Sequence, residues 1–338
     1  MKTPKARQLP SGSWFCRVRV DGKDIPITRP TEKEAVAEAM AIKAGIKEAR
    51  LHPKKRTLSQ AIDDYIESRQ NILSPSTVRG YRAIQKGRFQ SMMHKDVHLI
   101  SQTQWQRAID AESRLISAKT LANAWGFLSS VIFEVTGQRP IVRLPQVIPA
   151  ERQWLTPAQI PIFVEAVKGR SIEIPALLAL SSLRRSELLN LRWKDVDLEK
   201  GFLRVNGAAV YDENGKLVRK RETKNRTSRR IVPIIPPLRA ALEKIKYPGE
   251  YVVTMKPTGI FSHINRVCVA NGLPEVGFHG LRHSFASLAY HLQMPEKVAM
   301  EIGGWANDQT MHRIYTHLAQ EDLTKHAQSF TNFFKAEE

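Results

Sequence analysis

The chain has 338 residues, of which 42% are hydrophobic, so it is long enough for two or three domains with ordinary cores. Its 52 Lys and Arg residues outnumber its 33 Asp and Glu residues, and the net charge of +19 favours a polyanionic partner, most often nucleic acid, over a basic protein with no such partner. Two isolated cysteines, Cys16 and Cys268, argue against a disulfide framework or a zinc site, and no apolar run has the length of a membrane span or the pattern of a signal peptide, so we expect a cytoplasmic protein with no membrane partner.

The first 54 residues have the pattern of a small β-sheet followed by a helix. The segment WFCRVRV alternates, and Asp21-Gly22 after it is a hairpin signal. Thr31 and Glu34 form a capping box, which predicts a helix that runs to about Arg50.

Two arginines of this region, Arg17 and Arg19, lie two residues apart in one predicted strand and therefore on the same face. A small basic sheet of this kind can press its strands into a DNA groove. A plain solvated face is the alternative. We favour DNA binding, because the two charges share one face.

Residues 57–140 are predicted to be helical. Thr57 and Gln60 form a second capping box, and Ser74-Pro75 begins a further helix.

This further helix has a basic side formed by Arg79, Arg82, Lys86 and Arg88. A contact with DNA and a charged face exposed to solvent explain the pattern equally well.

A segment with three prolines, residues 137–153, has no helical or strand period and ends the helical region. Thr156 to Gln159 then predict the start of a new helix. The rest of the chain is predicted to hold helices and one small sheet, with strands at 201–205, around 214–216 and at 229–234.

The segment LLALSSLRRSELL places Arg184 among apolar residues, with Glu187 one helical turn later. Arginine keeps its charge, so near a core it needs a carboxylate or a phosphate. An Arg184–Glu187 ion pair would satisfy this need within the protein. Both readings stay open on this segment alone.

The segment RKRETKNRTSRR, residues 219–230, is a strongly basic turn between strands that includes Arg226 and Arg229. Lys224 lies at its tip, where a flexible ammonium group could reach a phosphate or a leaving oxygen. Taken alone, the segment is explained by general neutralisation of a DNA backbone.

The segment FHGLRHSFASLAY has His279 and His283 at a metal-ligand spacing on a helix. Arg282 lies between them, and a fixed cation disfavours a metal ion at that place. Imidazoles with an arginine suit a phosphoryl oxygen better.

The carboxylates of this part of the chain give no cluster for magnesium, because Asp195 and Asp197 lie in a turn that enters a strand. Phosphoryl transfer would then rest on cationic side chains, with no metal and no other cofactor. Tyr315 in MHRIYTHLA is a candidate nucleophile, although a core aromatic residue would have the same pattern.

Five motifs follow one another in the last block: LRRSELLNLRW with Arg184, TKNRTSRRIVPI with Lys224, HGLRH at 279–283, GGW ending at Trp305, and IYTH with Tyr315. In this order they resemble the tyrosine recombinase (phage integrase) family, over about residues 153–325. Each motif alone is weak, whereas the ordered combination is highly specific.

The resemblance implies catalytic roles in the cleavage of a DNA phosphodiester. Arg184 and Arg282 would bind the non-bridging oxygens of the scissile phosphate, and Lys224 would protonate the leaving 5′ oxygen. Tyr315 would attack as the nucleophile and form a 3′-phosphotyrosyl bond, while His279 assists proton transfer.

Three further residues take supporting roles by the same resemblance. Trp305 would donate a hydrogen bond to the phosphate, and Glu187 and His283 would orient the residues that touch it. Two departures from the family pattern concern the local geometry. Ser181-Ser182-Leu183 stands where the family often has Thr-Gly before the first arginine, and the interval from Trp305 to Tyr315 is ten residues, one longer than in many members.

The expected fold is mostly α with small β-sheets, in several domains. The resemblance implies an arm-type DNA-binding domain with a three-stranded sheet and a helix at 1–54, a helical, SAM-like core-binding domain at 57–140 and a mixed α/β catalytic domain at 153–325. The tail, 326–338, would dock on a neighbouring protomer or pack on its own domain.

The expected function is that of a site-specific DNA recombinase, the integrase of a phage or mobile element, which acts on double-stranded DNA at core and arm sites as a homotetramer. An excisionase or a DNA-bending protein is a possible accessory partner. A type IB topoisomerase-like activity and a non-catalytic DNA-binding regulator are the alternatives.

Overall fold

A computed structural model describes residues 4–20, 23–43, 55–148, 153–220, 229–245 and 249–306, together with 308, 309, 311, 312, 315, 327, 331 and 332. The chain divides into two compact units. The first comprises Met1–Leu73 and Tyr81–Val147, and the second comprises Ser74–Gly80 and Ile148–Glu338.

The first unit begins with an antiparallel three-stranded sheet and a helix. The strands are β1 (Ala6–Gln8), β2 (Trp14–Val20) and β3 (Lys23–Arg29), in the order β1-β2-β3, and the helix is α1 (Glu32–Lys43). The predicted hairpin is confirmed by the pairing of Val20 with Lys23, although Asp21-Gly22 lies outside the described residues.

The amphipathic pattern of these strands explains their packing. Cys16 and Val18 are buried in a core shared with α1, whereas Arg17 and Arg19 are exposed on the opposite face, as predicted. Helix α1 starts where predicted, because the Glu34 backbone N–H donates to the Thr31 hydroxyl over 3.3 Å. Its predicted end near Arg50 lies outside the described residues.

A helical region follows, as predicted. Its helices are α2 (Leu58–Glu67), α3 (Pro75–Gly87), α4 (Gln90–Met93), α5 (Gln102–Ser113) and α6 (Ala118–Thr136). The capping box of Thr57 and Gln60 is present in both directions at the start of α2. The rings of Trp105 and Trp125, which are both buried, lie 5.5 Å apart.

The basic side of α3 is only partly available to a ligand. Arg79 and Lys86 are exposed. Arg82 instead makes an ion pair with Asp63 and a 2.9 Å hydrogen bond to Gln85, so its guanidinium is held within the protein.

Among the described residues, the second unit has, before its last four α-helices, three α-helices and five strands. They are α7 (Gln159–Val167), α8 (Glu173–Leu180), α9 (Arg185–Leu188), β4 (Val196–Asp197), β5 (Phe202–Val205), β6 (Ala208–Tyr211), β7 (Leu217–Lys220) and β8 (Arg230–Pro233). Helix α7 begins at Gln159, whose side chain accepts a 3.0 Å hydrogen bond from the Thr156 backbone N–H.

The remaining helices of the second unit are α10 (Pro236–Glu243), α11 (Pro257–Ala270), α12 (Phe278–His291) and α13 (Glu296–Gly303).

The prediction of one sheet in this unit is wrong, because two are present among the described residues. Strands β4, β5 and β8 form one antiparallel sheet, and β6 with β7 forms a separate hairpin. The ladder of β5 ends where Val205 pairs with Arg230. Strand β6 is joined to β7 by a turn at Gly215, whose φ of 75° is left-handed.

Helix α8 lies at the centre of the second unit. Its residues from Pro175 to Leu180 are all buried, and it packs against α10 and α12. Helix α12 approaches closely because it carries small residues on its buried side. A Cβ atom at Gly280 would lie 2.7 Å from the Gln153 carbonyl oxygen. The lack of a side chain at Gly280 therefore lets the start of α12 lie against the backbone of Gln153.

Residues 138–148 form neither helix nor strand, as predicted for the proline-containing segment. No helix within the described part of the chain combines the length and the apolar character that a bilayer crossing requires.

Candidate active site

The site is built around a sharp turn between α8 and α9. Ser182 at this turn is fully buried and has a φ of 78°, a left-handed conformation that a side chain disfavours. The backbone N–H of Leu183 donates to the Leu178 carbonyl over 3.1 Å, which closes the turn. Ser182 therefore occupies a conformation that suits glycine, the residue often found there in the family that the sequence resembles.

Arg184 stands directly after this turn and caps α9. Its backbone N–H donates to Glu187 Oε2 over 2.8 Å, and its Nη1 donates to Glu187 Oε1 over 2.6 Å. The predicted pair at a spacing of three residues is therefore present. Arg184 Nη2 also donates to the Gly304 carbonyl oxygen, which lies after α13. The side chain of Arg184 stays 34% exposed, whereas that of Glu187 is 3% exposed.

A second arginine on Glu187, Arg230, was not identified as a site residue from the sequence. Its Nη1 and Nη2 donate to Glu187 Oε1 and Oε2 over 3.1 and 2.9 Å, and its side chain is 2% exposed. Alternation along β8 places Arg230 on the same face as Val232, which indicates burial but not its partner. Arg230 and Val232 are buried, while Ile231 between them is exposed.

Arg282 lies on the first turns of α12 and is 3% exposed. Its Nη1 donates to the carbonyl oxygen of Ser182 and, over 3.2 Å, to the Ser182 hydroxyl. Its guanidinium carbon lies 4.4 Å from the centre of the Trp305 ring, in a cation–π contact. Its Nη2 is buried and has no hydrogen-bond partner among the described residues.

The charges of this cluster do not balance. Among the described residues, the guanidinium groups of Arg184, Arg230 and Arg282 surround the one carboxylate of Glu187, which leaves a formal charge of 3 − 1 = +2. Burial favours a higher pKa for Glu187, but the hydrogen bond from Arg230 and the charges of Arg230 and Arg184 hold the pKa below its ordinary value.

The excess charge also acts on Arg282. Burial and the neighbouring charges of Arg184 and Arg230 lower the pKa of Arg282 to about 9, against the opposing effect of Glu187. The group is still a cation at neutral pH. An unpartnered, buried cationic nitrogen of this kind fits an anionic ligand.

Tyr315 packs in a small apolar cluster that also includes Trp305. Its ring lies 5.1 Å from that of Tyr290, and it contacts the cluster of Ala286, Ala289, Ala299 and Met311. Its hydroxyl oxygen is buried and has no hydrogen-bond partner among the described residues. Burial, with a smaller effect of the Glu296 charge, raises the pKa of Tyr315, so the phenol is protonated at neutral pH.

The remaining predicted residues are placed only in part. His279 is exposed at the start of α12, and His283 lies one turn later and is half-buried. Lys224 and Arg226 lie outside the described residues. Arg229 is exposed and lines a cleft together with Arg192 and Lys194.

The structure thus brings Arg184, Glu187, Arg282 and Trp305 together, with Tyr315 in the cluster that adjoins Trp305. Across the described part of the chain, no three His, Cys, Asp or Glu side chains are grouped as metal ligands would be.

Comparisons with known proteins agree with this geometry. The model of the phage integrase family matches residues 153–322, half of the chain. A tyrosine recombinase XerC-like protein of Caldanaerobacter subterraneus subsp. tengcongensis is 29% identical over 220 residues, which cover 55% of this chain and 56% of that protein. The integrase of Salmonella phage P22 is 22% identical over 224 residues, which cover 60% of this chain and 53% of that protein.

The chain therefore spans about half the length of these two relatives. Among solved structures, the Tn1549 transposon integrase in complex with a circular intermediate DNA has the same fold, with a TM-score of 0.63, 18% identity, and coverage of 77% of this chain and 95% of that chain. The family model matches residues 153–322, and the site residues lie inside this match, so the chain belongs to the phage integrase family.

Proposed function

We propose that this protein is a site-specific DNA recombinase that cleaves and rejoins DNA strands through Tyr315. The observation that carries the proposal is the buried Nη2 of Arg282, which has no hydrogen-bond partner among the described residues and lies in a cluster of net positive charge. A DNA phosphate supplies the missing anion. Membership of the phage integrase family supports the same reaction.

Arg184 and Arg282 bind the non-bridging oxygens of the scissile phosphate in this proposal. The two side chains are already oriented by Glu187 and by Ser182, so little reorganisation is needed when charge builds up in the transition state. Planar guanidinium groups match the equatorial oxygens of a phosphoryl group in transfer. The Trp305 ring holds the Arg282 guanidinium through their cation–π contact, and its indole N–H donates to the phosphate.

The proposed chemistry at the phosphorus atom follows from the roles that the family resemblance implies. The Tyr315 oxygen forms a bond to phosphorus while the bond from phosphorus to the 5′ oxygen breaks. Because the phenol is protonated at neutral pH, its proton must leave, and His279 assists this transfer, with His283 bracing the same helix. Lys224 gives a proton to the leaving 5′ oxygen.

The products are a 3′-phosphotyrosyl bond and a free 5′ hydroxyl. Attack of a 5′ hydroxyl on the phosphotyrosine reverses the reaction and rejoins DNA. The ester is conserved throughout, so no ATP is consumed.

The rest of the chain supplies DNA binding in this proposal. Residues 1–54 bind arm sites through the face that carries Arg17 and Arg19. Residues 57–140 bind core DNA, with Arg79 and Lys86 as contacts in preference to the paired Arg82.

We further propose that the protein serves a phage or another mobile element in the cytoplasm of a bacterial host. The relatives include an integrase of a phage and one of a transposon, which supports this context. A homotetramer on paired sites, with an accessory bending protein or excisionase, follows from the family resemblance.

Covalent capture of DNA tests the proposal. The wild-type protein is incubated, in EDTA, with a pool of nicked duplexes of randomised sequence, and DNA that stays bound in denaturant is recovered and sequenced. We expect a phosphotyrosyl adduct on an enriched sequence, and its loss in Tyr315→Phe. Tyr211→Phe on β6 is the matched control and should keep the adduct. An adduct that survives Tyr315→Phe, or that needs a metal ion, would refute the mechanism.

A further inference from the structure

We propose that Arg230 is a positioning residue that orients Arg184 and Arg282 for the phosphate without touching the phosphate itself. This inference rests on the proposed function and deepens it. Arg230 is the first residue of β8, and its side chain contacts both the turn before α9 and the end of α13.

All three nitrogen atoms of the Arg230 guanidinium donate hydrogen bonds within the protein. Its Nε donates to the Ile302 carbonyl over 2.7 Å, and its two Nη atoms hold both oxygens of Glu187. Its Nη2 also donates to the Ser182 carbonyl over 3.3 Å. With a side chain that is 2% exposed, the group offers no free edge to DNA. Arg230 is therefore unsuited to be a third phosphate ligand.

Its acceptors are the same ones that hold the two phosphate-binding arginines. Glu187 accepts from Arg230 and from Arg184, and the Ser182 carbonyl accepts from Arg230 and from Arg282. A carboxylate held in bidentate fashion has one orientation, so the second arginine on it is fixed as well. Arg230 thus connects Arg184, which caps α9, to Arg282 on α12.

The end of α13 is fitted closely against the same side chain. Gly304 has a φ of 65°, and a Cβ atom there would lie 2.8 Å from Arg230 Nη1 and 3.0 Å from its Cδ. The Gly304 carbonyl in turn accepts from Arg184 Nη2. Three separate segments therefore depend on the position of one guanidinium.

A simpler reading is that Arg230 only neutralises Glu187. Lysine separates the two readings, because it keeps the positive charge but cannot form the planar, bidentate contact. Arg230→Lys should disturb the arginine positions even where the fold is kept. Arg230→Gln, which is neutral and shorter and also lacks the planar fork of donors, serves as the second variant and should move the same signals. Arg239→Lys is the matched control, because Arg239 is an exposed arginine of α10 that pairs with Glu243.

The experiment uses two measurements on the full chain. The first is the Nε–Hε NMR signals of Arg184 and Arg282 in protein labelled with [15N]arginine, without DNA. The second is the single-turnover rate of adduct formation on the nicked duplex recovered by covalent capture, measured across DNA concentrations. We expect Arg230→Lys to move both arginine signals and to lower the saturated rate on the order of a hundredfold. The DNA concentration at half-saturation should stay within about twofold, because most of the affinity comes from backbone contacts elsewhere.

Each other outcome has its own meaning. Unmoved Arg184 and Arg282 signals, or a lower adduct amplitude at an unchanged rate constant, would show that Arg230 only supports folding, and would overturn the inference. A large change in half-saturation would make Arg230 a DNA ligand and overturn it too. If the wild type forms no adduct, the proposed function fails, and the NMR signals alone then decide whether Arg230 positions the two arginines.

Discussion

Two groups of arginines in this chain differ sharply in their surroundings. Arg17 and Arg19 on the N-terminal sheet have side chains that are 63% and 73% exposed, and each lies 3.9 Å from the carboxylate of Asp24. Arg230 and Arg282 in the second unit are buried, and their hydrogen bonds run to fixed carbonyl, hydroxyl and carboxylate oxygens. The residue type is the same, but the consequences for binding are different.

Exposed guanidinium groups keep their water and their freedom to rotate, so they attract a DNA backbone without fixing it. A buried guanidinium has already lost its water, so each N–H donor without an acceptor costs free energy and favours a ligand that accepts a hydrogen bond in that direction. The sheet is therefore suited to affinity, and the buried cluster is suited to holding one phosphate during a reaction. Substitutions at four residues test this contrast.

The largest effect is expected at Arg282. Arg282→Lys keeps a cation but loses the fork of donors, so the saturated rate of adduct formation should fall about a hundredfold to a thousandfold. Single-turnover assays on the captured duplex measure this rate. Arg266→Lys, on the exposed side of α11, is the control and should leave it unchanged. A rate within threefold of the wild type would mean that Arg282 does not hold the transition state.

Glu187 should dominate the stability of the cluster. Glu187→Gln leaves buried Arg230 without its counter-ion, and we expect a loss of about 3 kcal/mol in the free energy of unfolding at pH 7. Urea unfolding followed by circular dichroism measures the difference.

This difference should depend on pH in a defined direction. The pKa of Glu187 is lowered in the folded protein, so its carboxylate stabilises the fold above the unfolded pKa of about 4.3. That stabilisation is lost as the pH falls from there through the folded pKa. The gap between the wild type and Glu187→Gln should therefore shrink below about pH 4.3. A gap that stays constant down to pH 3 would contradict the ion pair.

Ser182 tests the backbone under the cluster. Ser182→Gly and Ser182→Ala both remove the hydroxyl that Arg282 contacts, but only alanine keeps the cost of a left-handed conformation. Glycine should thus be the more stable of the two variants by about 1 kcal/mol. Thermal unfolding of the two proteins side by side measures this. Equal stabilities would mean that the turn relaxes in the variants.

The features that the sequence predicted correctly are contacts between residues that are close together along the chain. The hairpin of β2 and β3, the capping box at Thr57 and the Arg184–Glu187 pair all join residues within a few positions of each other, so their patterns are visible locally. The link from Arg230 to Glu187 spans 43 residues and was missed, because a basic residue in a basic segment gives no sign of its distant partner.

The same limit applies to the sheets and to the turn before Arg184. Nothing local tells whether β6 continues the ladder of β5 or forms its own hairpin. Serine as a residue type gives no sign of the left-handed conformation of Ser182, which is set by the closure of the turn between α8 and α9. Only the glycine that the family often has at this place indicates it.

The smallest effect on stability is expected on the N-terminal sheet. A substitution there tests the exposed arginines of the comparison. Arg19→Gln should change the free energy of unfolding by less than about 0.5 kcal/mol, because its ion pair with Asp24 is long and exposed. Its effect should appear in DNA binding, where the slope of log affinity against log salt should fall by about one. Fluorescence anisotropy with labelled duplex DNA across a salt series measures this slope. Arg29→Gln is the matched control, since Arg29 in the next strand lies 2.5 Å from Glu38 and should add little to the slope. If Arg19→Gln leaves the slope unchanged, Arg19 lies on a face that is only solvated and does not bind DNA. Of the two groups of arginines, only the buried cluster would then be a DNA contact.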